Sequence, residues 1–318
     1  MIHLLVNDLQ LRNVLLGIFC ILILASALGF FLSKTANPDS KQSVIDNLNA
    51  RIRAWWVMIF LVTTAILSGR PGTTVLFAFI SFLALREFIT LIPTHRGDHR
   101  TLFWVFFIIT PLQYFFVWKQ WYGAFSIFIP VYGCLIMPIR NALSGETENY
   151  LSRTARVQWA SIVCVYFVSY APALLTLEIP EYKGENVKLL LYLIIVVQLS
   201  DIFQYVWGKL VGRHKIAPRL SPSKTTEGLL GGAGTAILIG TSLWWMTPFS
   251  MWQSLVFSAL ICAMGFFGGL VMSAIKRGEG VKDFGTLIEG HGGILDRIDS
   301  ICFSAPLFFH LVRYNFVT

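Results

Sequence analysis

The sequence predicts an all-α, polytopic membrane bundle of about ten transmembrane helices, on three observations. Of the 318 residues, 55% are hydrophobic and 13% charged, with a mean hydropathy of +0.66, a composition of the membrane class. Apolar runs recur along the whole chain, and roughly 20 helical residues cross about 30 Å of hydrocarbon. Lys and Arg alternate between loops: 17 fall in one set and 6 in the other set with the two termini. That alternation obeys the positive-inside rule. The net charge of +8 therefore reads as loops facing the cytoplasm and anionic lipid, and it calls for no nucleic acid.

The first apolar run is 14–32. Ala25-Ser26-Ala27 resembles a signal cleavage site, but the run is long for a signal segment and only Arg12 precedes it closely, so a retained helix is expected. A polar stretch, 33–53, follows, with a turn or helix-start signal at Asn37-Pro38-Asp39-Ser40. Further spans are expected at 54–69, 73–92, 101–118, 121–138, 156–177, 187–207, 228–246, 251–275 and 295–316. The second is short and ends at Gly69-Arg70-Pro71-Gly72, either a tight turn or a re-entrant hairpin. Pro111, Pro130, Pro138 and Pro172 should kink or end helices. Cys20, Cys134, Cys164, Cys262 and Cys302 lie in or beside apolar runs without metal-ligand spacing and read as small buried side chains. No repeat or linker is visible. Residues 1–318 read as one membrane domain, with N-terminal helices in 1–190 and the chemically rich helices and loops in 191–318.

Three stretches carry chemistry. Asp201 sits in an otherwise apolar run, with Gln204 and Tyr205 on its face and Gly208 following. It is either an interhelical hydrogen bond or part of a site. The second stretch, 209–228, is basic and contains Ser221, Lys224, Thr225, Glu227 and Gly228 at a helix start, where a capping box and a phosphate both fit. It lacks the P-loop pattern. The third runs from Ser273, Lys276 and Arg277 through Lys282 and Asp283 to His291, Gly292, Gly293, Asp296, Arg297 and Asp299. Ser273, Lys276 and Arg277 share one face, and Asp296 and Asp299 project to one side of the last helix. Carboxylates hold a divalent metal through oxygen, cations hold phosphate, and glycines admit close backbone approach. Arg86-Glu87 reads as a helix-packing contribution, and Gly265 and Gly269 have the spacing that lets helices approach.

The third stretch resembles the C-terminal pattern of the phosphatidate cytidylyltransferases, or CDP-diacylglycerol synthases: S-x-x-K-R-x4-K-D-x4-I-x-G-H-G-G-x-x-D-R-x-D, met here by Ser273 through Asp299 with Ile288 and Gly290 in place. The family's S-P-x-K-T-x-E-G-x-x-G-G matches Ser221 through Gly232, and its intramembrane aspartate before tyrosine and glycine matches Asp201, Tyr205 and Gly208. The likeness covers roughly residues 195–318. It implies transfer of CMP from CTP to phosphatidic acid, giving CDP-diacylglycerol and pyrophosphate in phospholipid biosynthesis. It also implies Mg²⁺ on Asp283 and Asp296, with Asp201 and Asp299 as further ligands. Phosphates would lie on Lys224, Lys276, Arg277, Lys282 and Arg297. His291 would touch phosphate or orient a carboxylate, and Ser221, Thr225, Glu227, Ser273, Gly292 and Gly293 would complete substrate binding. A bacterial inner membrane with cytoplasmic motif loops is the expected location, and a homodimer is compatible with it.

The chain departs from the family at Gly269 and Met272, where many members carry aspartate and glutamate, and at Gln204, where a small residue is usual. Three outcomes stay open: the metal moves to the other aspartates, the acceptor is another lipid phosphate, or the protein is a non-catalytic relative that binds lipid or nucleotide. A transporter is disfavoured, because no repeat is visible and the cluster lies at the membrane edge.

Overall fold

The computed structural model describes residues 8–35, 42–180, 182–288 and 292–317. The expected turn at 37–40 and His291 lie outside them. The described residues form ten helices: α1 (Leu9–Thr35), α2 (Gln42–Leu67), α3 (Gly69–Leu91), α4 (Asp98–Trp118), α5 (Tyr122–Ala142), α6 (Tyr150–Thr176), α7 (Val187–Leu210), α8 (Thr226–Ser242), α9 (Met251–Gly278) and α10 (Leu295–Phe316). Eight of these, α1–α7 and α9, are long and apolar enough to cross a membrane. The other two expected spans are helical but weaker. Helix α8 has 17 residues, and α10 carries Asp296, Arg297, Asp299, His310 and Arg313.

The short second run belongs to a 26-residue helix that begins at Gln42. Gly69, at φ +73°, turns the chain directly into α3, so this connection is a tight turn. Helices α4, α5 and α6 each contain a π-helical turn, at Val105–Ile109, Phe128–Gly133 and Ile162–Phe167. Pro111 follows the first of these and Pro130 lies within the second. A proline offers no N–H to the preceding turn, and the ladder re-registers around it. Pro138 stays inside α5, and its carbonyl accepts the Tyr150 hydroxyl at 2.8 Å. Cys164, Cys262 and Cys302 are buried, Cys134 is half-buried and Cys20 is exposed.

One element departs from all-helix. Lys215–Ala217 (β1) and Ser221–Thr225 (β2) pair as an antiparallel ribbon between α7 and α8. Thr225 ends it by capping α8, its hydroxyl accepting the Gly228 N–H at 3.1 Å. Glu227 does not close a capping box. Its carboxylate turns back to accept the N–H groups of Arg213 (3.0 Å) and His214 (3.2 Å), which fixes the start of the ribbon.

The loops sort to the two ends of the bundle as the charge alternation requires. At one end Arg153 pairs with Asp98 at 3.1 Å, Arg156 with Glu279 at 3.7 Å, and Arg277 donates to the Leu220 carbonyl at 3.3 Å. These contacts join the loops 93–100, 139–155, 208–227 and 276–293. At the other end Lys188 meets Asp8 at 2.9 Å and Glu185 at 3.0 Å. Close helix contact comes from missing side chains. Gly228 and Gly232 lay α8 against the α7 backbone at Gln204, and Gly265 lays α9 against Ser300 and Ser304 of α10.

The two halves of the chain meet at Glu87. This buried α3 carboxylate accepts the N–H groups of Ile294 and Leu295, both at 2.9 Å, at the entry to α10. These are the amides that a helix start leaves without intrahelical partners. Glu87→Ala strands both, Leu295 in a buried place and Ile294 in a half-buried one, at up to about 1–3 kcal/mol for each unsatisfied group. The expected outcome is a lower Tm in detergent with faster hydrogen exchange at Ile294 and Leu295; unchanged exchange there would contradict this role.

Candidate active site

A cavity of about 240 Å³ opens between the ends of α7, α9 and α10 and the ribbon. Asp201 reaches it from α7, with Gln204 and Tyr205 beside it on the same face. Lys224 and Thr225 come from β2, Gly269 and Ser273 from α9, and Asp296, Arg297, Asp299 and Ser300 from α10. Three sequence-distant stretches thus converge on one polar hollow at the edge of an apolar bundle.

The side chains in this hollow divide into two groups. Asp296 is fully engaged. Its Oδ1 accepts the Lys276 ammonium at 2.7 Å, while its Oδ2 accepts the N–H groups of Phe284 at 2.8 Å and Gly293 at 3.0 Å. It is buried together with these partners. In this arrangement Asp296 ties α9, the motif loop and α10 together. Asp201 and Asp299, by contrast, have no ion-pair partner within 4 Å among the described residues. They line the cavity together with Lys224 and Arg297.

Lys224 is held from one side. Its ammonium lies 4.6 Å from the centre of the Phe266 ring and 3.3 Å from the Phe266 carbonyl. Burial pushes it below the ordinary lysine range, against the opposing pull of Asp201 and Asp299. A Cβ on Gly269 would sit 2.8 Å from this ammonium. The departure from the family pattern at 269 therefore lies directly beside the cavity cation. Among the described residues, the buried Nε of Arg297 has no hydrogen-bond partner.

The remaining predicted residues support the cavity from outside. Arg277 reaches the Leu220 and Val281 carbonyls, bracing the ribbon against the motif loop. Ser273 donates back to the Gly269 carbonyl at 2.7 Å while lining the cavity. Lys282 and Asp283 are exposed and do not line it, nor do Ser221 and Glu227. Gly292 adopts φ +83°, and its carbonyl closes the loop by accepting the Ile288 N–H at 2.8 Å. Gly293 leaves no room for a side chain, because a Cβ would collide with the Glu87 carboxylate. Glu87, expected from the sequence to contribute to helix packing, instead holds the motif loop through the Ile294 and Leu295 amides. The available signal was a carboxylate near the end of an apolar run, on the same side as the motif loops. Phe266, Ser223 and Ser300 were also missed and carry no signal of their own.

Among the described residues, no three His, Cys, Asp or Glu side chains form a metal cage. Asp299 accepts the Ser300 N–H at 2.7 Å, and two carboxylates on a shared cavity without a cationic partner among the described residues fit Mg²⁺, which is commonly held by one or two carboxylates plus phosphate oxygens and water. A cavity offering carboxylate oxygens, an ammonium and a guanidinium is suited to a metal-bound polyphosphate.

The chain is 40% identical over 309 residues to the uncharacterized protein YnbB of Escherichia coli (strain K12), covering 96% of this chain and 99% of that protein. It is 40% identical over 129 residues to the phosphatidate cytidylyltransferase of Staphylococcus aureus (strain COL), covering 40% of this chain and 50% of that enzyme. A match of 39% over 129 residues links it to the phosphatidate cytidylyltransferase of Staphylococcus saprophyticus, again over 50% of that enzyme's length. Residues 49–315 match the sequence profile of the cytidylyltransferase family, and with the motifs assembled around one cavity, the chain belongs to that family.

Proposed function

We propose that the protein transfers CMP from CTP to a lipid phosphate, with phosphatidic acid as the acceptor, giving CDP-diacylglycerol and pyrophosphate. The observation that carries this reading is the single cavity in which Asp201 and Asp299 stand with Lys224 and Arg297. An acceptor phosphate oxygen attacks the α-phosphorus of CTP, and the bond to the β-phosphate oxygen breaks. The attacking oxygen is anionic at neutral pH, so no general base is required, and catalysis rests on positioning and charge neutralisation. Asp201 and Asp299 would hold Mg²⁺, which supplies neutralising charge at the phosphates when bound. Lys224 and Arg297 would bind phosphate oxygens directly. Lys276 acts through Asp296, which holds α10 in place. The reading puts the cavity on the cytoplasmic side of a bacterial inner membrane, where CTP is available, in agreement with the Lys and Arg distribution.

Purified protein in detergent should release pyrophosphate only with CTP, Mg²⁺ and phosphatidic acid all present. Asp296→Asn should lower the rate on the order of 10²-fold, the size of an ångström-scale misplacement of the reacting groups. Release from another lipid phosphate alone would change the acceptor, and no release from folded protein with any would overturn the reaction. Asp201→Asn and Asp299→Asn should each raise the Mg²⁺ concentration needed for half-maximal rate, and an unchanged requirement would remove them as ligands.

The charged form of Lys224 is the one that binds phosphate, and its lowered pKa makes that form disappear early as pH rises. The alkaline limb of kcat/KM should therefore fall below the ordinary lysine value of about 10.4. Lys224→Arg keeps its charge and should move that limb upward; an unmoved limb would assign it to another group.

A further inference from the structure

Helix α10 separates two cavities of opposite character. Asp299 and Ser300 face the polar one, while Ile294, Ile298 and Ile301 line a second cavity of about 480 Å³. Among the described residues, Arg297 alone lines both. The walls of the second cavity come largely from the first half of the chain. Leu15 of α1, Ala54 of α2, Phe77 of α3 and Leu191 of α7 line it, with Leu287 and Ile288 of the motif loop; a second guanidinium in the lining, Arg53, is engaged elsewhere. Val57, Leu61 and Phe79, which line it, are exposed, so the cavity is a groove open at the apolar outer surface of the bundle.

Any lipid chain would wet such a groove. Arg297 makes it selective. A guanidinium between an apolar groove and a polar hollow is costly within a bilayer edge unless anions meet it; Asp201 and Asp299 act on it from the hollow, but among the described residues its buried Nε has no hydrogen-bond partner. A molecule with a phosphate at one end and a long apolar tail satisfies both sides of α10 at once. We propose that this groove receives an acyl chain of the phosphate-bearing lipid while Arg297 holds its phosphate at the junction. The inference rests on the lipid-phosphate reading above and extends it: α1, α2 and α3 become the part of the protein that reads the acceptor's tail.

The test uses the full chain in phosphatidylcholine nanodiscs. They are doped with phosphatidic acid carrying a photoreactive group near the end of one chain, or with phosphatidylcholine carrying the same chain. The expected result is labelling of α2 and α3 around Ala54 and Phe77 by the phosphatidic acid probe, about tenfold above the phosphatidylcholine probe, the scale of one charge-assisted hydrogen bond. Arg297→Gln should abolish the difference, and Ala54→Trp should reduce the labelling by filling the groove. Equal labelling of the wild-type protein by both probes would show ordinary bilayer lipid and overturn the proposal, as would labelling by phosphatidic acid chiefly on other helices. Neither wild-type result depends on a variant folding. The same preparation is assayed with CTP. Selective labelling without turnover would keep the groove and reject the transferase reaction, whereas turnover without selective labelling would do the reverse.

Discussion

The Asp296 carboxylate is the contact on which the site depends. Its two oxygens take the Lys276 ammonium and the Phe284 and Gly293 amides, so one buried group fixes the end of α9, the motif loop and the start of α10. A buried carboxylate is stable only when such donors meet it, and here they come from the end of α9 and from both ends of the motif loop. Glu87 repeats the device one turn away, receiving the Ile294 and Leu295 amides from across the bundle. Between them the two acids replace the solvent that a helix start would otherwise need. The cavity aspartates Asp201 and Asp299 are left to face a ligand.

Much of this was legible in the sequence. The helices follow the apolar runs, eight of them long and apolar enough to cross a membrane. The cluster from Ser273 to Asp299 announced itself because charge is rare beside hydrocarbon. What was not legible depends on contacts between distant segments. Glu87 and Leu295 are 208 residues apart, and periodicity gives no register between α3 and α10. The ribbon at 215–225 is too short to show a pattern, and it exists because Glu227 and Thr225 anchor its ends. Spacing placed Asp296 and Asp299 on one side of α10 but could not tell that one is saturated by donors while the other is not.

The departure from the family pattern at Gly269 now has a location. The absent side chain leaves Lys224 against Phe266, with its ammonium beside the bare backbone of α9. An aspartate there would meet that ammonium directly. The cavity therefore carries one carboxylate fewer and an amine not neutralised from that side, a balance that favours polyanionic phosphate. On its far side α10 turns apolar, so headgroup chemistry and hydrocarbon are separated by a single helix. That arrangement suits a reaction whose one substrate dissolves in water and whose other dissolves in the membrane.

The most direct measurement follows phosphorus. The purified protein is given phosphatidic acid, Mg²⁺ and CTP labelled either at the α- or at the γ-phosphorus, and the lipid is then extracted. CMP transfer predicts that the α-label enters the lipid fraction while the γ-label stays in water as pyrophosphate. Entry of the γ-label into lipid, or of neither label from folded protein, would contradict it.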